Sequence, residues 1–228
     1  MAKTNTGNKG NEVLEDPSSL AEKLSQSEDF VKKNKNILLY VGLGVLLLAG
    51  GVFFYWYQLQ EQNQEAQVSM IDGVYYWEQD STKQALKSGL LEVADDYGST
   101  DAGNLSKFYT GTAYLKQGKY DDAITYLKDF SSNDLLLQAR VYSLIGDAYM
   151  EQKNFEDATA YYQKAVDYKP NQYYTPEYCM KAGLAYEQNK DYASAVKVYD
   201  KVINEYWQAS ELTDAKKYKA RAEELAGQ

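Results

Sequence analysis

The sequence predicts an all-α protein in which one transmembrane helix is followed by an α-solenoid of about four helix pairs and a C-terminal capping helix. Two observations support this prediction: residues 37–57 form an uncharged apolar run, and a short polar motif ending in alanine recurs four times farther along the chain. The copies are EQDSTKQA at 78–85, KQGKYDDA at 116–123, EQKNFEDA at 151–158 and QNKDYASA at 188–195. Regular recurrence of a helix–turn–helix unit is typical of solenoids.

The apolar run, ILLYVGLGVLLLAGGVFFYWY, predicts a membrane anchor over 37–57. It carries no charge, and as a helix it would extend about 31 Å, close to the roughly 30 Å thickness of the hydrocarbon core of a bilayer. The aromatic cluster at its end suits the headgroup region. A cleaved signal peptide is the alternative, but the 36 preceding residues and the lack of a small-residue cleavage site favour an uncleaved anchor.

The charges beside the run predict its direction across the membrane. Lys32, Lys33 and Lys35 precede the run, whereas residues 58–82 contain no lysine or arginine. The positive-inside rule therefore predicts a single pass with a cytoplasmic N-terminus and with residues 58–228 on the far side of the membrane. In a bacterium the membrane would be the inner (cytoplasmic) membrane and the C-terminal domain would be periplasmic. Small residues in the run would allow close packing against another transmembrane helix. These candidate anchor contacts are Gly42, Gly44, Gly50 and Gly51.

The residues before the anchor divide into two parts. Residues 1–15 are polar and predict a disordered tail. Residues 16–36 predict a cytoplasmic amphipathic helix, with Asp16 as the N-cap and Pro17 in the first turn. Two roles stay open for this helix, which either lies on the inner leaflet or a partner or is simply a solvated leader into the anchor.

The four motif copies are in register with a glycine that precedes each of them. Gly73, Gly111, Gly146 and Gly183 are separated by 38, 35 and 37 residues, and an alanine follows each glycine by 12 positions. Since small residues let two helix backbones approach closely, we expect the glycine and the alanine to lie where paired helices touch.

This pattern is that of the tetratricopeptide repeat, a helix–turn–helix unit of 34 residues. The best copy spans residues 139–172, with Gly146, Tyr149 and Ala158 at the characteristic positions. We expect the repeat domain to occupy residues 58–228, with residues 210–226 as the capping helix. No glycine or proline occurs between Val52 and Asp72, so the anchor helix could continue unbroken into the first repeat.

Stacked repeats present a concave face formed by the first helix of each pair, and such proteins usually hold peptides there. Repeat phase directs nine side chains of mixed apolar and acidic character towards this face. The predicted partner-binding residues are Leu105, Phe108, Thr112, Arg140, Ser143, Asp147, Glu177, Met180 and Leu184. Because Arg140 is the only basic residue among them, a clamp for a C-terminal carboxylate is not expected.

The composition argues against catalysis and against nucleic acid binding. The chain has no histidine, and its 33 acidic and 24 basic residues give a net charge of −9, whereas a phosphate-binding surface requires a basic patch. The single cysteine, Cys179, is expected to be a packing residue. Paired acidic residues recur in the repeat turn, where they complement the helix dipole. We therefore expect no enzyme, no cofactor, no metal and no direct nucleic acid partner.

Residues 29–228 resemble the bacterial ancillary Sec-translocon subunits, the YfgM-like proteins, in layout and in the segment DFVKKNKNILLYVGLGVLLLAGGVFFYWY at 29–57. The resemblance implies association with the SecYEG translocon and with a membrane-anchored periplasmic chaperone of the prolyl-isomerase type. It also implies that the protein passes exported polypeptides onward. The alternative function is a non-catalytic envelope scaffold for cell division or for another secretion or assembly machine.

Overall fold

A computed structural model describes residue 25 and residues 27–227. These residues belong to two compact units, of which the first ends at Gln58 and the second is Leu59–Gln228. The predicted disordered tail 1–15 and the first part of the predicted amphipathic helix lie outside the described residues. Residues 27–33 are helical, and a turn at Asn34 precedes the next helix.

Helix α1 (Lys35–Ser69) contains the apolar run and continues beyond it without a break, as the absence of glycine and proline after Val52 predicts. Within it, an 18-residue window has a mean hydropathy of 2.5, and none of that window is buried. Leu46, Leu47 and Leu48 are among its exposed side chains. Length and hydropathy make α1 a candidate membrane span. At Gly42, Gly44, Gly50 and Gly51 an added Cβ would meet nothing within 4 Å.

The second unit consists of four helical repeats and a final helix, so the predicted all-α solenoid with a capping helix is confirmed. Repeat 1 contains α2 (Ile71–Glu78), α3 (Thr82–Ala85) and α4 (Leu91–Asp96). Repeat 2 pairs α5 (Asp101–Lys116) with α6 (Tyr120–Asp129), repeat 3 pairs α7 (Leu137–Glu151) with α8 (Phe155–Asp167), and repeat 4 pairs α9 (Thr175–Gln188) with α10 (Tyr192–Glu205). Helix α11 (Leu212–Ala226) packs against α10.

The glycine of each repeat lies where its two helices touch. A Cβ added at Gly146 would lie 2.7 Å from Cδ1 of Tyr162, and one added at Gly183 would lie 2.3 Å from Cε1 of Tyr199. Both distances are too short for carbon atoms, so only glycine permits these helices to approach so closely. The corresponding pairs in repeats 1 and 2 are Gly73 with Leu90 and Gly111 with Leu127. The alanines 12 positions after each glycine are fully buried.

The recurring polar motif forms the turn between the paired helices. Seven positions after each glycine, the backbone adopts the left-handed conformation, with φ of 58° at Asp80, 72° at Gly118, 59° at Lys153 and 61° at Lys190. In repeat 3 the N–H of Lys153 donates to the carbonyl of Met150 and the N–H of Asn154 donates to that of Tyr149, both at 2.9 Å. This pair of bonds is the Schellman motif, which satisfies the last carbonyls of a helix.

Repeat 1 departs from the others by one inserted residue. Leu90 follows its glycine by 17 positions, whereas Leu127, Tyr162 and Tyr199 follow theirs by 16. The extra residue lies in a kinked π-helical segment, Leu86–Leu90. Gly89 there has a φ of 110°, and a Cβ on it would lie 2.1 Å from the carbonyl oxygen of Ser69. Repeat 1 therefore reaches the contact between its glycine and Leu90 by a different backbone path from the other three repeats.

The capping helix is fixed by a buried carboxylate. Oε1 of Glu187 on α9 accepts hydrogen bonds from the Tyr199 hydroxyl at 2.8 Å and from Nη2 of Arg221 at 2.9 Å. Its Oε2 accepts from Nε of Arg221 at 2.9 Å. The carboxylate therefore joins α9, α10 and α11, and both of its oxygens are satisfied.

Candidate protein-interaction groove

A groove of about 570 Å³ lies between α7 and α9, the first helices of repeats 3 and 4. Its volume falls in the range of about 300–1,000 Å³ that is usual for ligand-binding clefts. Apolar and polar side chains alternate along its walls. The lining residues are Asp134, Leu136, Leu137, Arg140, Ser143, Leu144, Tyr174, Glu177, Tyr178 and Lys181.

Lys181 closes the inner end of the groove through an ion pair with Asp147. Its Nζ donates to Oδ1 and Oδ2 of Asp147 at 3.0 and 2.9 Å, and to Oγ of Ser143 at 3.3 Å. Asp147 also accepts a 2.6 Å hydrogen bond from the hydroxyl of Tyr162. Burial and the nearby Asp147 raise the pKa of the Tyr162 phenol above its usual value. The Asp147 carboxylate is therefore fully engaged within the fold.

Arg140 is the cation that the groove leaves available. Its side chain is exposed on α7, and among residues 27–227 no carboxylate forms an ion pair with it. Glu177, on the facing helix, lies 3.9 Å from Nζ of Lys181. A planar guanidinium without a partner is suited to bind a carboxylate or a backbone carbonyl of a bound segment.

The outer end of the groove is shaped by the start of α7. Oδ1 of Asp134 accepts hydrogen bonds from the backbone N–H groups of Leu136 and Leu137 at 2.8 and 2.9 Å. These two N–H donors hold the pKa of Asp134 below its usual value. Leu136 and Tyr174 remain exposed at this end, which gives the groove an apolar mouth.

Tyr178 supplies a phenol that stays neutral at physiological pH. The side chain is buried, and burial together with the charge of Glu177 raises its pKa to about 12. A neutral hydroxyl beside apolar side chains can contribute a hydrogen bond without an uncompensated charge.

The structure brings together only some of the nine predicted partner-binding residues. Arg140, Ser143 and Glu177 line the groove, and Asp147 lies directly behind Lys181. The exposed Leu184 and the half-buried Leu105 lie outside it.

Phe108, Thr112 and Met180 do not line the groove, and all three side chains are buried. Phe108 packs with Phe130 at a ring-centroid distance of 5.9 Å. Thr112 accepts a hydrogen bond from Nε1 of Trp77 at 2.9 Å. The first helix of a repeat contacts both its own partner and the preceding repeat, so a wide part of its surface is buried.

Several residues that line the groove are not among those that the sequence predicted. Lys181 follows Glu177 by four positions and so shares its helix face, a spacing that could have identified it. Leu136 and Tyr174 precede helices α7 and α9, in connections that vary in length between repeats. Helical periodicity gives no information about side chains in such connections.

Comparison with known proteins agrees with this architecture. Residues 110–173 and 180–206 match two models of the tetratricopeptide repeat family. Tetratricopeptide repeats are therefore present within residues 110–206 of the solenoid. The matched residues cover repeat 3 completely and most of repeats 2 and 4, and therefore include α7 and most of α9. No curated protein sequence matches the chain significantly.

Two crystal structures of a Podosopora anserina putative kinesin light chain with nearly identical TPR-like repeats are similar to this chain. One of them, the structure of a point-substituted form, has a TM-score of 0.55 and 16% sequence identity, and the other has a TM-score of 0.55 and 15% identity. Each match covers 75% of this chain and 87% of the other. At this identity the likeness concerns the fold alone.

Tetratricopeptide folds typically act as non-catalytic scaffolds for protein interactions, and the matches indicate no enzyme family. In the described part of the chain, no group of three or more Cys, Asp or Glu side chains is placed to hold a metal ion. The tetratricopeptide repeats indicate protein partners in general.

Proposed function

We propose that this protein is a membrane-anchored interaction scaffold associated with the Sec translocon, which helps to transfer exported proteins to periplasmic chaperones. The observation that carries the proposal is the groove between α7 and α9 in a solenoid of helical repeats, with its mixed apolar and polar lining. In the part of the chain that the structure describes, Arg140 of the groove forms no ion pair. The mixed apolar and polar lining of the groove suits a short peptide segment. The proposed occupants are segments of exported polypeptides or of partner proteins.

The proposed anchor is the apolar run of α1 within residues 37–57. The exposure of its leucines and aromatic residues supports insertion into lipid, because such a surface is unfavourable in water. The lysines before it support a cytoplasmic N-terminus and a periplasmic domain in the bacterial inner membrane. Its four glycines would allow contact with a transmembrane helix of a partner.

The proposed partners are the SecYEG translocon and a membrane-anchored chaperone of the prolyl-isomerase type. The layout of the described residues supports them, with one long apolar helix followed by tetratricopeptide repeats. A second candidate function is a scaffold for cell division or for another envelope assembly machine, since the same layout and groove would serve it.

The membrane topology is testable with single cysteines and a membrane-impermeant maleimide. The buried Cys179 should remain unlabelled in the folded protein. In intact spheroplasts, Ser210→Cys should be labelled, whereas Thr4→Cys should be labelled only after lysis. The reverse pattern would contradict the proposed orientation.

The groove is testable by affinity purification from gently solubilised membranes. Recovery of SecYEG would support the first function, whereas recovery of division or cell-wall proteins would support the second. Arg140→Glu should lower partner recovery several-fold, because it places a second acidic group beside Glu177. Lys197→Glu is the matched control, since Lys197 is exposed on α10 outside the groove. Equal recovery with both variants would show that the groove does not bind the partner.

A further inference from the structure

We propose that one edge of the tetratricopeptide domain contacts the lipid headgroup interface of the membrane, through exposed apolar side chains in the loops that join successive repeats. We call this edge the loop edge and define it by residues 97–100, 130–136, 168–174 and 206–211. The proposal rests on the proposed membrane anchor. The arrangement of the loops, described next, is independent of it.

Hydrogen bonds place the first three of the four loops side by side along one edge of the domain. The side chain of Asn104, near the start of α5, bonds to both backbone groups of Ser131 in the next loop, at 2.8 and 3.1 Å. The following loop is joined to it in the same way. Its bonds run from the Tyr168 hydroxyl to the carbonyl of Ser132 at 3.0 Å and from Nζ of Lys169 to the carbonyl of Asn133 at 2.5 Å.

Large apolar side chains are exposed in three consecutive loops of this edge. Tyr173 is 85% exposed and Trp207 is 63% exposed. Among the described residues that follow Tyr75 in the sequence, only one exposed large apolar side chain lies outside the loop edge. It is Leu184 on α9. The other exposed apolar residues of the loop edge are Leu135, Leu136 and Tyr174.

The opposite edge has a different character. Its turns carry Asp80, Gly118, Lys153 and Lys190 at equivalent positions, and none of the large apolar side chains in these turns is exposed. Tyrosine and tryptophan favour the membrane–water interface, because each combines an apolar ring with a polar group. The asymmetry between the two edges therefore matches a domain with one side towards lipid.

The chain reaches the repeat domain at the loop edge. The backbone N–H of Ala102, at the start of α5, donates to Oδ1 of Asn63 at 2.8 Å. Only six peptide units separate Asn63 from Tyr57, the last residue of the apolar run. At no more than about 3.5 Å per residue, this connection cannot exceed about 21 Å. An anchored chain therefore keeps the loop edge close to the bilayer surface.

The charges of the loop edge indicate which lipids it prefers. Asp96, Asp101 and Glu205 beside the loops are exposed, and among the described residues no lysine or arginine forms an ion pair with them. Anionic headgroups would repel these carboxylates. The inferred surface is therefore a zwitterionic interface, in which aromatic insertion rather than charge attraction gives the binding energy.

Spin labels on the full-length protein in phosphatidylcholine nanodiscs test the contact. Tyr173→Cys places a label on the loop edge, and Lys153→Cys places the matched label on the opposite edge. Cys179 has no exposed surface and should not react. We expect the ratio of collisions with dioxygen to collisions with a water-soluble nickel chelate to be several-fold higher at 173 than at 153. Adding phosphatidylglycerol should lower the ratio at 173.

Equal collision ratios at positions 173 and 153 would overturn the proposal. An immobile label at 173 with a low ratio of dioxygen to nickel-chelate collisions would also overturn it, because it would indicate contact with a protein partner. A Leu47→Cys label in the same nanodiscs separates this outcome from failure of the anchor. A lipid-exposed label at 47 with a water-exposed label at 173 refutes the loop-edge contact alone, whereas a water-exposed label at 47 refutes the anchor.

A second measurement replaces only one residue of the loop edge and needs no spin label there. Brominated phosphatidylcholine should quench part of the tryptophan fluorescence of the unmodified protein, and Trp207→Phe should reduce the quenched part. An unchanged quenched part would count against lipid contact at Trp207.

Discussion

Replacing Gly183 by alanine should be one of the most damaging single-methyl additions in this protein. The new Cβ would lie 2.3 Å from Cε1 and 2.4 Å from Cζ of Tyr199, so α9 and α10 must separate by about 1 Å to restore normal carbon contacts. Tyr199 cannot simply rotate away, since it is fully buried and its hydroxyl donates to Glu187 at 2.8 Å.

The expected magnitude follows from three effects. Overpacking costs about 1–3 kcal/mol, and loss of the hydrogen bond from Tyr199 to the Glu187 carboxylate costs about 1.5–3 kcal/mol. The better helix propensity of alanine returns about 1 kcal/mol. The free energy of unfolding should therefore fall by about 1.5–5 kcal/mol.

Urea denaturation of the full-length protein in mild detergent, followed by circular dichroism, measures this change. With a slope of about 2 kcal/mol per molar urea, the midpoint should fall by about 0.8–2.5 M. Gly227→Ala is the matched control, because its Cβ would approach no atom closer than 3.6 Å. If the two variants unfold at the same urea concentration, close helix approach at Gly183 is not what stabilises repeat 4.

Three further predictions use the same denaturation assay. Lys153→Gly should raise the free energy of unfolding by about 1 kcal/mol, because it relieves a left-handed non-glycine residue with a φ of 59°; a lower midpoint would contradict this. Glu187→Gln should lower it by about 1–3 kcal/mol through weaker bonding to Arg221 and Tyr199, whereas the exposed Glu223→Gln should change it by about 0.5 kcal/mol or less. Stability should also fall as the pH rises from about 10 towards 12, because Tyr178 has its pKa raised to about 12 by burial while unfolded tyrosines ionise near 10. Below about pH 10 the phenols are neutral in the folded and in the unfolded protein, so tyrosine ionisation does not change the stability there. A urea midpoint that is unchanged between about pH 10 and 12 would show that buried tyrosines do not limit stability.

The fold could be predicted from sequence because its determinants are small residues at fixed spacing. Gly146 and Ala158 lie at helix contacts that exclude larger side chains, and such exclusion leaves a clear periodic signal. The left-handed backbone conformation of the turn could not be recognised from the sequence so easily. Three of the four equivalent positions carry lysine or aspartate rather than glycine.

The groove could be predicted only in part. Arg140 and Glu177 line the groove, on the side towards which repeat phase directs them, whereas the side chains of Phe108 and Met180 are buried among other helices. Helical periodicity alone cannot separate a concave face from an inter-repeat contact, because the two lie only a fraction of a turn apart. Lys181 reaches the groove through a long side chain, and its direction is fixed by Asp147, a partner 34 residues away.

The spacing between interlocking residues also limits how this molecule can be lengthened or shortened. In repeats 2, 3 and 4 the large residue follows its glycine by the same 16 positions. A middle repeat could therefore be duplicated or removed, because the repeats on either side would meet through the same kind of contact. Repeat 1 could not be exchanged in this way, because the additional residue at the kink before Leu90 gives it a different offset between its interlocking residues. Repeats 2, 3 and 4 are therefore modular, whereas repeat 1, which follows the long helix α1, has a spacing of its own.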